Sequence, residues 1–314
     1  MPIIPMVLVN RSTEVIVTGD RSYIPIYNPT NIVSNLRCLL NDKPMQPMQP
    51  WYKGFRGNIK KAAADGYTIE GLIEEVDATT LRITELPIGV SSQDYIDFLR
   101  SMTTGNDPFI KDYIERFAAD TTVNFEVILP AENLSMAKHE GLLKKFKLTS
   151  TIKTSNMRLF NREGMIKKYD TPIQILEEFI PIRLEFYEKR KKYVLCNLEM
   201  ELLKLENKVK YVTEVLEGKI SFFQGNIDSL VMLLKAKDFM TLGKITNTPE
   251  AAVPEEDYEY ILRMPLLTLT NDGYKELCYT GDMLKNRVND LKDETPKSMW
   301  LKDLGSFEKY FLRV

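Results

Sequence analysis

The sequence is short of most of the groups that carry enzyme chemistry. One histidine and three cysteines are present in 314 residues. Cys38, Cys196 and Cys278 are too scattered for a CxxC metal spacing or a disulfide framework, and they suit a reducing compartment. His139 lies in AKHEGLLKKF beside no positioned partner, so it reads as a solvated surface histidine and not as a general base. No GxxxxGK[ST] loop occurs, and glycines are too sparse to cradle a phosphate. HExxH is missing, and so is the DxD spacing that would gather carboxylates around magnesium; Glu74–Glu75 and Glu255–Glu256–Asp257 read as solvated faces. No apolar run approaches the roughly 20 residues of a membrane span, and the first residues lack the charged-then-apolar plan of a signal peptide. Nucleotide hydrolysis on a P-loop, zinc chemistry and a membrane partner are thereby excluded as readings of these residues, and a soluble intracellular protein is expected.

What remains is ordinary globular material: 44% hydrophobic and 27% charged, with a net charge of −2. A polyanion would have to be met by a local basic patch. The length leaves room for about two domains. Ile3 to Val9 would be a buried strand if others flanked it, and Tyr23–Pro29, with two prolines, reads as an extended loop. NIVSNLRCLL (31–40) has helical apolar spacing with Thr30 or Asn31 as its cap. YTIEGLIEEV and TTLRITELP read as strands of a hairpin turning at Asp77–Thr79. SSQDYIDFLRSM reads as a Ser-capped helix, NDPFIKDYIERFA as another, VNFEVILP as a strand and ENLSMAKHEGLLKKFKL as helical. The pattern predicts one α+β unit.

From Thr171 the pattern changes. Pro172 suits a first helical turn, and after Pro181 neither glycine nor proline occurs until Gly218. Leu198, Leu202, Leu205, Val209, Val212 and Leu216 repeat at heptad spacing among charged residues. Residues 182–217 as one helix would extend about 54 Å and need a partner. Tyr274, Leu277, Gly281, Leu284, Val288 and Leu291 supply a second stripe. Between them, 218–266 has its own apolar content and an acidic, mobile PEAAVPEEDYE. Two readings stand: an antiparallel coiled-coil arm with a small head, or two ordinary amphipathic helices of a bundle.

Basic residues beside aromatics are the one ligand signal. WYKGFRGNIKK carries Lys53, Arg56, Lys60 and Lys61; LLKKFKL carries Lys144 and Lys145; MIKKYD carries Lys167 and Lys168; FYEKRKKY is a fourth cluster. Such groups make sequence-independent, salt-sensitive contacts to nucleic-acid phosphates. By composition alone the solvated surface is the commoner outcome.

The ordered blocks IPMVLVN…EVIVTG…SYIPIYNP, LRCLLND, PMQPMQPWYKGFRGNI, LRITELP, KFKLTSTIKTSNMRLF and TPKSMWLKDLGSFEK nonetheless resemble eukaryotic type IIA DNA topoisomerases, nearest the plant form. The resemblance spans nearly the whole chain and is weakest over 218–256. It implies a tail of the winged-helix region in 1–30 and a tower-like α+β domain in 31–170. It further implies an outgoing coiled-coil helix in 171–217, a small helical exit-gate head in 218–266, and a returning helix with a C-terminal helix in 267–314. Duplex DNA is the implied ligand, met by the basic residues of the tower. The implied partner is a second copy (a homodimer) or a full-length topoisomerase II (a heterodimer), and the implied location is nuclear. Mg2+ and ATP belong to the full-length family. Its ATPase, magnesium-binding carboxylates and nucleophilic tyrosine precede this stretch, so no catalytic or metal residue is expected in it. Tyr23 matches a structural SYIP and not the nucleophile.

The chain departs from the family's NGxEGIGTGW loop. Here NRSTEVIVTGD has Arg11, Val15 and Val17 in place of glycines and Asp20 in place of tryptophan, while Gln49 replaces the histidine of MHPW. If those glycines need positive φ, valine would be strained. A DNA topoisomerase by descent that is inactive alone, a dimerising DNA-binding interaction module, and an unstable remnant exposing Ile3–Val9 are the readings these residues leave.

Overall fold

Gly71 decides how the strand-rich stretch is divided. A Cβ there would lie 2.3 Å from the Glu85 carbonyl oxygen, so only glycine lets the two chain segments approach. Its N–H donates to Leu148 O (2.9 Å). YTIEGLIEEV is therefore two strands in two sheets: β4 (Gly66–Glu70) and β5 (Leu72–Asp77). The structure, a computed structural model, describes residues 2–10, 15–17, 20–62, 66–105, 107–116, 123–221, 226–246 and 257–311. These divide into two units, 1–182 with 307–314, and 183–306.

In the first unit β3 (Asn58–Lys61), β4 and β9 (Thr149–Lys153) form an antiparallel sheet in that order. A second antiparallel sheet has the order β5–β6–β8–β7, with β6 at Thr80–Glu85, β7 at Asp112–Glu115 and β8 at Phe125–Ile128. β5 and β6 turn at Asp77–Thr79, where the Asp77 carboxylate accepts from the Thr79 backbone N–H (2.7 Å). Strand alternation sends Leu81, Ile83, Phe125 and Val127 into one core. α2 (Ser92–Thr103) and α3 (Ala131–Glu140) cover it with Tyr95, Leu99, Leu134 and Ala137. Ser91 caps α2, and Gly141 (φ 93°) separates α3 from the short α4 (Leu142–Lys145). NDPFIKDYIERFA is not helical at its centre: Asp112–Glu115 is an edge strand, with Tyr113 opposite Val127. Pairing with β8 gives that tyrosine a place on the core, which outweighs the local helical spacing.

Three further expectations change near the start. Ile3–Val9 holds one 3₁₀ turn at Met6–Leu8 and no strand; Ile4 and Leu8 are buried, and Leu8 O accepts from Tyr27 N (2.8 Å). Helix α1 (Pro29–Leu40) starts before Asn31, because the Asn28 side chain accepts from Thr30 N (2.9 Å) and Pro29 fills the first turn. Val15–Val17 is strand β1, paired antiparallel with β2 (Asp20–Ser22). Extended strand backbone, as paired here, is what β-branched residues favour. Arg11 and residues 249–256 lie outside the described residues. A separate hairpin, β10 (Met157–Phe160) with β11 (Ile166–Tyr169), precedes α5 (Pro172–Leu216), a helix of 45 residues that runs through Pro181 and does not begin after it. Proline inside a helix costs about 3 kcal/mol, which buried Leu176 and Tyr187 on its two sides help to offset.

In the second unit α5 and α9 (Asn271–Asp293) run antiparallel. Thr213 Oγ1 lies 3.5 Å from Tyr274 Oη, Gly281 faces Leu205, and Lys292 pairs with Glu199 at 2.8 Å. Leu198, Val288 and Leu291 are the buried centre of their packing, with Leu202 and Leu284 around it. Val212 is buried, but Leu216, the last residue of α5, is 44% exposed. The helical layer beyond α5 comprises α6 (Ile227–Ala236), α7 (Leu242–Thr246) and α8 (Glu259–Leu262). Its core takes Tyr211, Ile220, Leu234, Phe239, Tyr258 and Ile261. Tyr258, within the stretch read as mobile, is 3% exposed and donates to Phe239 O (3.3 Å). α10 (Pro296–Phe311) carries Trp300, fully buried and stacked on Tyr187 with ring centroids 5.8 Å apart. No helix among the described residues is long and apolar enough to cross a membrane.

Candidate nucleic-acid interface

Three of the four basic sequence clusters lie in the first unit, and the fourth, FYEKRKKY (186–193), lies on α5 in the second. Lys53 is in the loop 51–57, anchored by Trp51 N donating to Ile26 O (2.7 Å) and turned by Gly54 at φ 82°. Lys53 is exposed and has no ion-pair partner among the described residues. Arg56, three residues on, is folded back: its guanidinium donates to Thr84 O (3.2 Å) and lies 3.5 Å from the Glu85 carboxylate. Gly57 permits this course, since a Cβ would meet Glu70 O at 2.1 Å.

Lys60 and Lys61 are neighbours on β3, and alternation points them to opposite faces. Lys60 shares a face with Thr68, Glu70, Thr149 and Thr151, as the registers Lys60↔Thr68↔Thr151 and Asn58↔Glu70↔Thr149 require. Lys153, opposite Gly66, completes that face at the other edge strand. Lys61 shares the other face with Tyr67 and Ile152. The four bases of 53–61 are therefore not on one surface. Lys153 has no aromatic residue beside it in the sequence and so carries no signal there; strand register alone places it on this face. Lys60 is held by Glu70 at 2.7 Å, yet its side chain is 62% exposed. The face thus presents ammonium and hydroxyl donors with one carboxylate among them.

Lys144 is exposed at the end of α4, whereas Lys145 pairs with Glu140 (3.2 Å) and lies over the Phe109 ring at 4.1 Å. Lys167 and Lys168 alternate on β11. Lys167 binds Glu178 at 2.6 Å, and this ammonium holds the Glu178 carboxyl below its usual range. Burial, with Glu178 beside it, pushes the Tyr169 phenol up to about 12. Lys168 stands opposite Arg158 and 3.7 Å from Asp170. Tyr23 is half-buried, its hydroxyl 3.2 Å from that of Tyr52, with no histidine or carboxylate bonded to it among the described residues. His139 is exposed in the last turn of α3. Among the described residues no three His, Cys, Asp or Glu side chains gather as a metal site.

The heptad-spaced residues are brought together differently from the bases. Leu198, Leu202, Leu284, Val288 and Leu291 pack on each other within one chain, and Leu205 meets Gly281. Asn207, between seam positions, is 8% exposed and receives Met240 N (3.2 Å), joining α5 to the residues after α6. Heptad spacing carries no hint of it.

The family described as the A subunit of DNA gyrase/topoisomerase IV matches residues 1–305. DNA topoisomerase 2 of Arabidopsis thaliana is 46% identical over 98% of this chain and 23% of its own length. DNA topoisomerase 2 of Pisum sativum is 44% identical, again over 98% of this chain and 23% of its own. A crystal structure of the Plasmodium falciparum topoisomerase II DNA-binding, cleavage and re-ligation domain superposes with a TM-score of 0.89 at 34% identity, covering 98% of this chain and 44% of that one. The chain thus spans about a quarter of the length of these curated relatives.

Proposed function

The chain belongs to the family of DNA gyrase and topoisomerase IV A-type chains, in its eukaryotic topoisomerase II form, and from that premise we propose that it holds duplex DNA and a second copy of itself for an ATP-dependent change of DNA topology in the nucleus. The first unit is the tower-like, DNA-contacting part. The second is a coiled-coil arm whose head is the dimer contact at the exit gate. Strand cleavage needs a nucleophile to store the broken phosphodiester as an ester. In this reading that nucleophile, and the magnesium and ATP sites of the full-length family, are supplied by residues other than those described. The chain's own part is to bind and orient.

One observation carries the DNA reading: the face on which Lys60 and Lys153 flank Thr68, Thr149 and Thr151. Ammonium and hydroxyl donors in a row bind phosphate oxygens without reading bases. Duplex affinity measured against salt tests it. Neutralising Lys53, Arg56, Lys60, Lys61 and Lys153 together should weaken binding on any sequence and reduce the log–log salt slope by about 0.9 for each phosphate no longer engaged. An unchanged slope would reduce the face to a solvated surface. Lys144, Lys145, Lys167 and Lys168 form a second set, to be neutralised separately.

A further inference from the structure

Between the loop 51–57, the segment 23–29 and the start of α2 lies an open cavity of about 810 Å³ that shares only Lys53 with the DNA reading. Drug-sized ligands occupy cavities of roughly 300–1,000 Å³ with apolar walls and a few converging polar groups. Four aromatic side chains line this one: Tyr23, Trp51, Tyr52 and Phe311. Lys53 is the basic residue in the lining, and no carboxylate neutralises it among the described residues. Glu85, also in the wall, has its carboxylate turned to Arg56 at 3.5 Å. Ser91 and Ser92 bring the amino end of α2, a helix of 12 residues, to the same wall.

We propose that this cavity binds a small aromatic anion, a flat ring carrying one phosphate or carboxylate. The ring lies against Tyr52 and Trp51, and the anionic end meets Lys53. The walls supply apolar area and ring faces, which reward a planar ligand. A single uncompensated ammonium at the rim rewards one negative group, because a charge-assisted bond is about twice as strong as a neutral one. The Ser91 hydroxyl already accepts from Gln93 N (3.2 Å), so the serines add only a supporting positive end and do not define the site. A nucleoside monophosphate and a non-nucleotide aromatic acid share this chemistry.

Calorimetric titration of the whole chain without DNA tests the site, with phenyl phosphate and adenosine monophosphate as probes and tryptophan emission as a second readout. Of the two tryptophans, Trp51 lines the cavity and Trp300 is fully buried elsewhere, so quenching reports on Trp51. One-to-one binding is expected, with inorganic phosphate and phenol each at least about tenfold weaker. Lys53→Ala should weaken phenyl phosphate about tenfold or more. Ser92→Trp, at an exposed first-turn position, should block the mouth while the fold persists, and Lys138→Ala should change nothing. The tighter of the two probes identifies the source. No binding below about 10 mM, binding equal for inorganic phosphate, or wild-type binding by both Lys53→Ala and Ser92→Trp would overturn the proposal. None of these outcomes depends on duplex affinity, so the DNA reading stands or falls separately.

Discussion

Among the described residues three non-glycine residues have positive φ: Asp42 (54°), Lys147 (49°) and Asp238 (54°). Each follows a helix end, where a left-handed residue lets the chain turn back and satisfy the last carbonyls. At Asp238 the bonds Asp238 N to Lys235 O (3.2 Å) and Phe239 N to Leu234 O (3.1 Å) show the closure. Asp238→Gly removes the steric penalty of the side chain and should raise stability by about 0.5–1 kcal/mol, read from chemical denaturation. Tyr187 is the other instructive residue. Its hydroxyl donates to the Asp303 carboxylate (2.7 Å), which also receives Arg190 at 2.7 Å, and burial with Asp303 pushes its phenol up to about 12 from 10.0. A folded value above the unfolded one means stability that is whole below pH 10 and lost as pH rises through about 12. Tyr187→Phe should lower stability at pH 8 by about 1.5 kcal/mol. Between pH 10 and 12 its melting temperature should fall less steeply than that of the wild type; parallel curves would refute the assignment.

At the scale of elements, the α5–α9 pair shows what a heptad stripe does and does not specify. Leu198, Val288 and Leu291 of the stripe are buried, and the buried centre lies where both helices supply branched side chains. Gly281 interrupts the second stripe, but a Cβ there would sit 3.7 Å from Leu205 Cδ2, an ordinary contact, so the packing has room for a methyl group at this position. Near the end of α5 the buried side moves to Tyr211 and Val215, because the core formed with α6 and α8, and not α9, is what they meet. Leu205→Asp with Val209→Asp places two carboxylates against α9 and should cost several kcal/mol, with loss of helical circular dichroism. Unchanged helicity and melting would show that the two helices are not held by this seam.

At the scale of the molecule, the apolar surface of the second unit asks for a partner. Leu266 is 71% and Leu267 78% exposed, and Ile227 and Met232 are each 72% exposed. Leu266 and Leu267 are adjacent in the chain, and a contiguous apolar patch of that kind is where an interface is sought. The heptad residues close on each other inside one chain, so in the proposed reading the dimer contact is this head surface and not the seam. Leu266→Asp with Leu267→Asp should turn a sedimenting dimer into a monomer without lowering the thermal stability of the chain by more than about 0.5 kcal/mol. A dimer that persists at the same concentration would locate the contact elsewhere.

The sequence by itself determined the elements whose signal is local: the Ser91-capped helix, the turn at Asp77–Thr79, and the long helix with its leucine stripe. In each case the caps, turn residues or apolar period lie within a few positions of one another. Ordered blocks across nearly the whole chain also carried the family. Tertiary structure alone decided the rest. Asp112–Glu115 became a strand because β8 was there to pair with it, and YTIEGLIEEV was divided at Gly71 because Glu85 O approaches that point from 14 residues away. Lys60 and Lys153 share a face only through the register of three strands, whereas the adjacent Lys60 and Lys61 are parted by the pleat. Local propensity fixes what a segment can become; which residues meet a ligand depends on contacts between segments far apart in the chain, and no short window of sequence contains those.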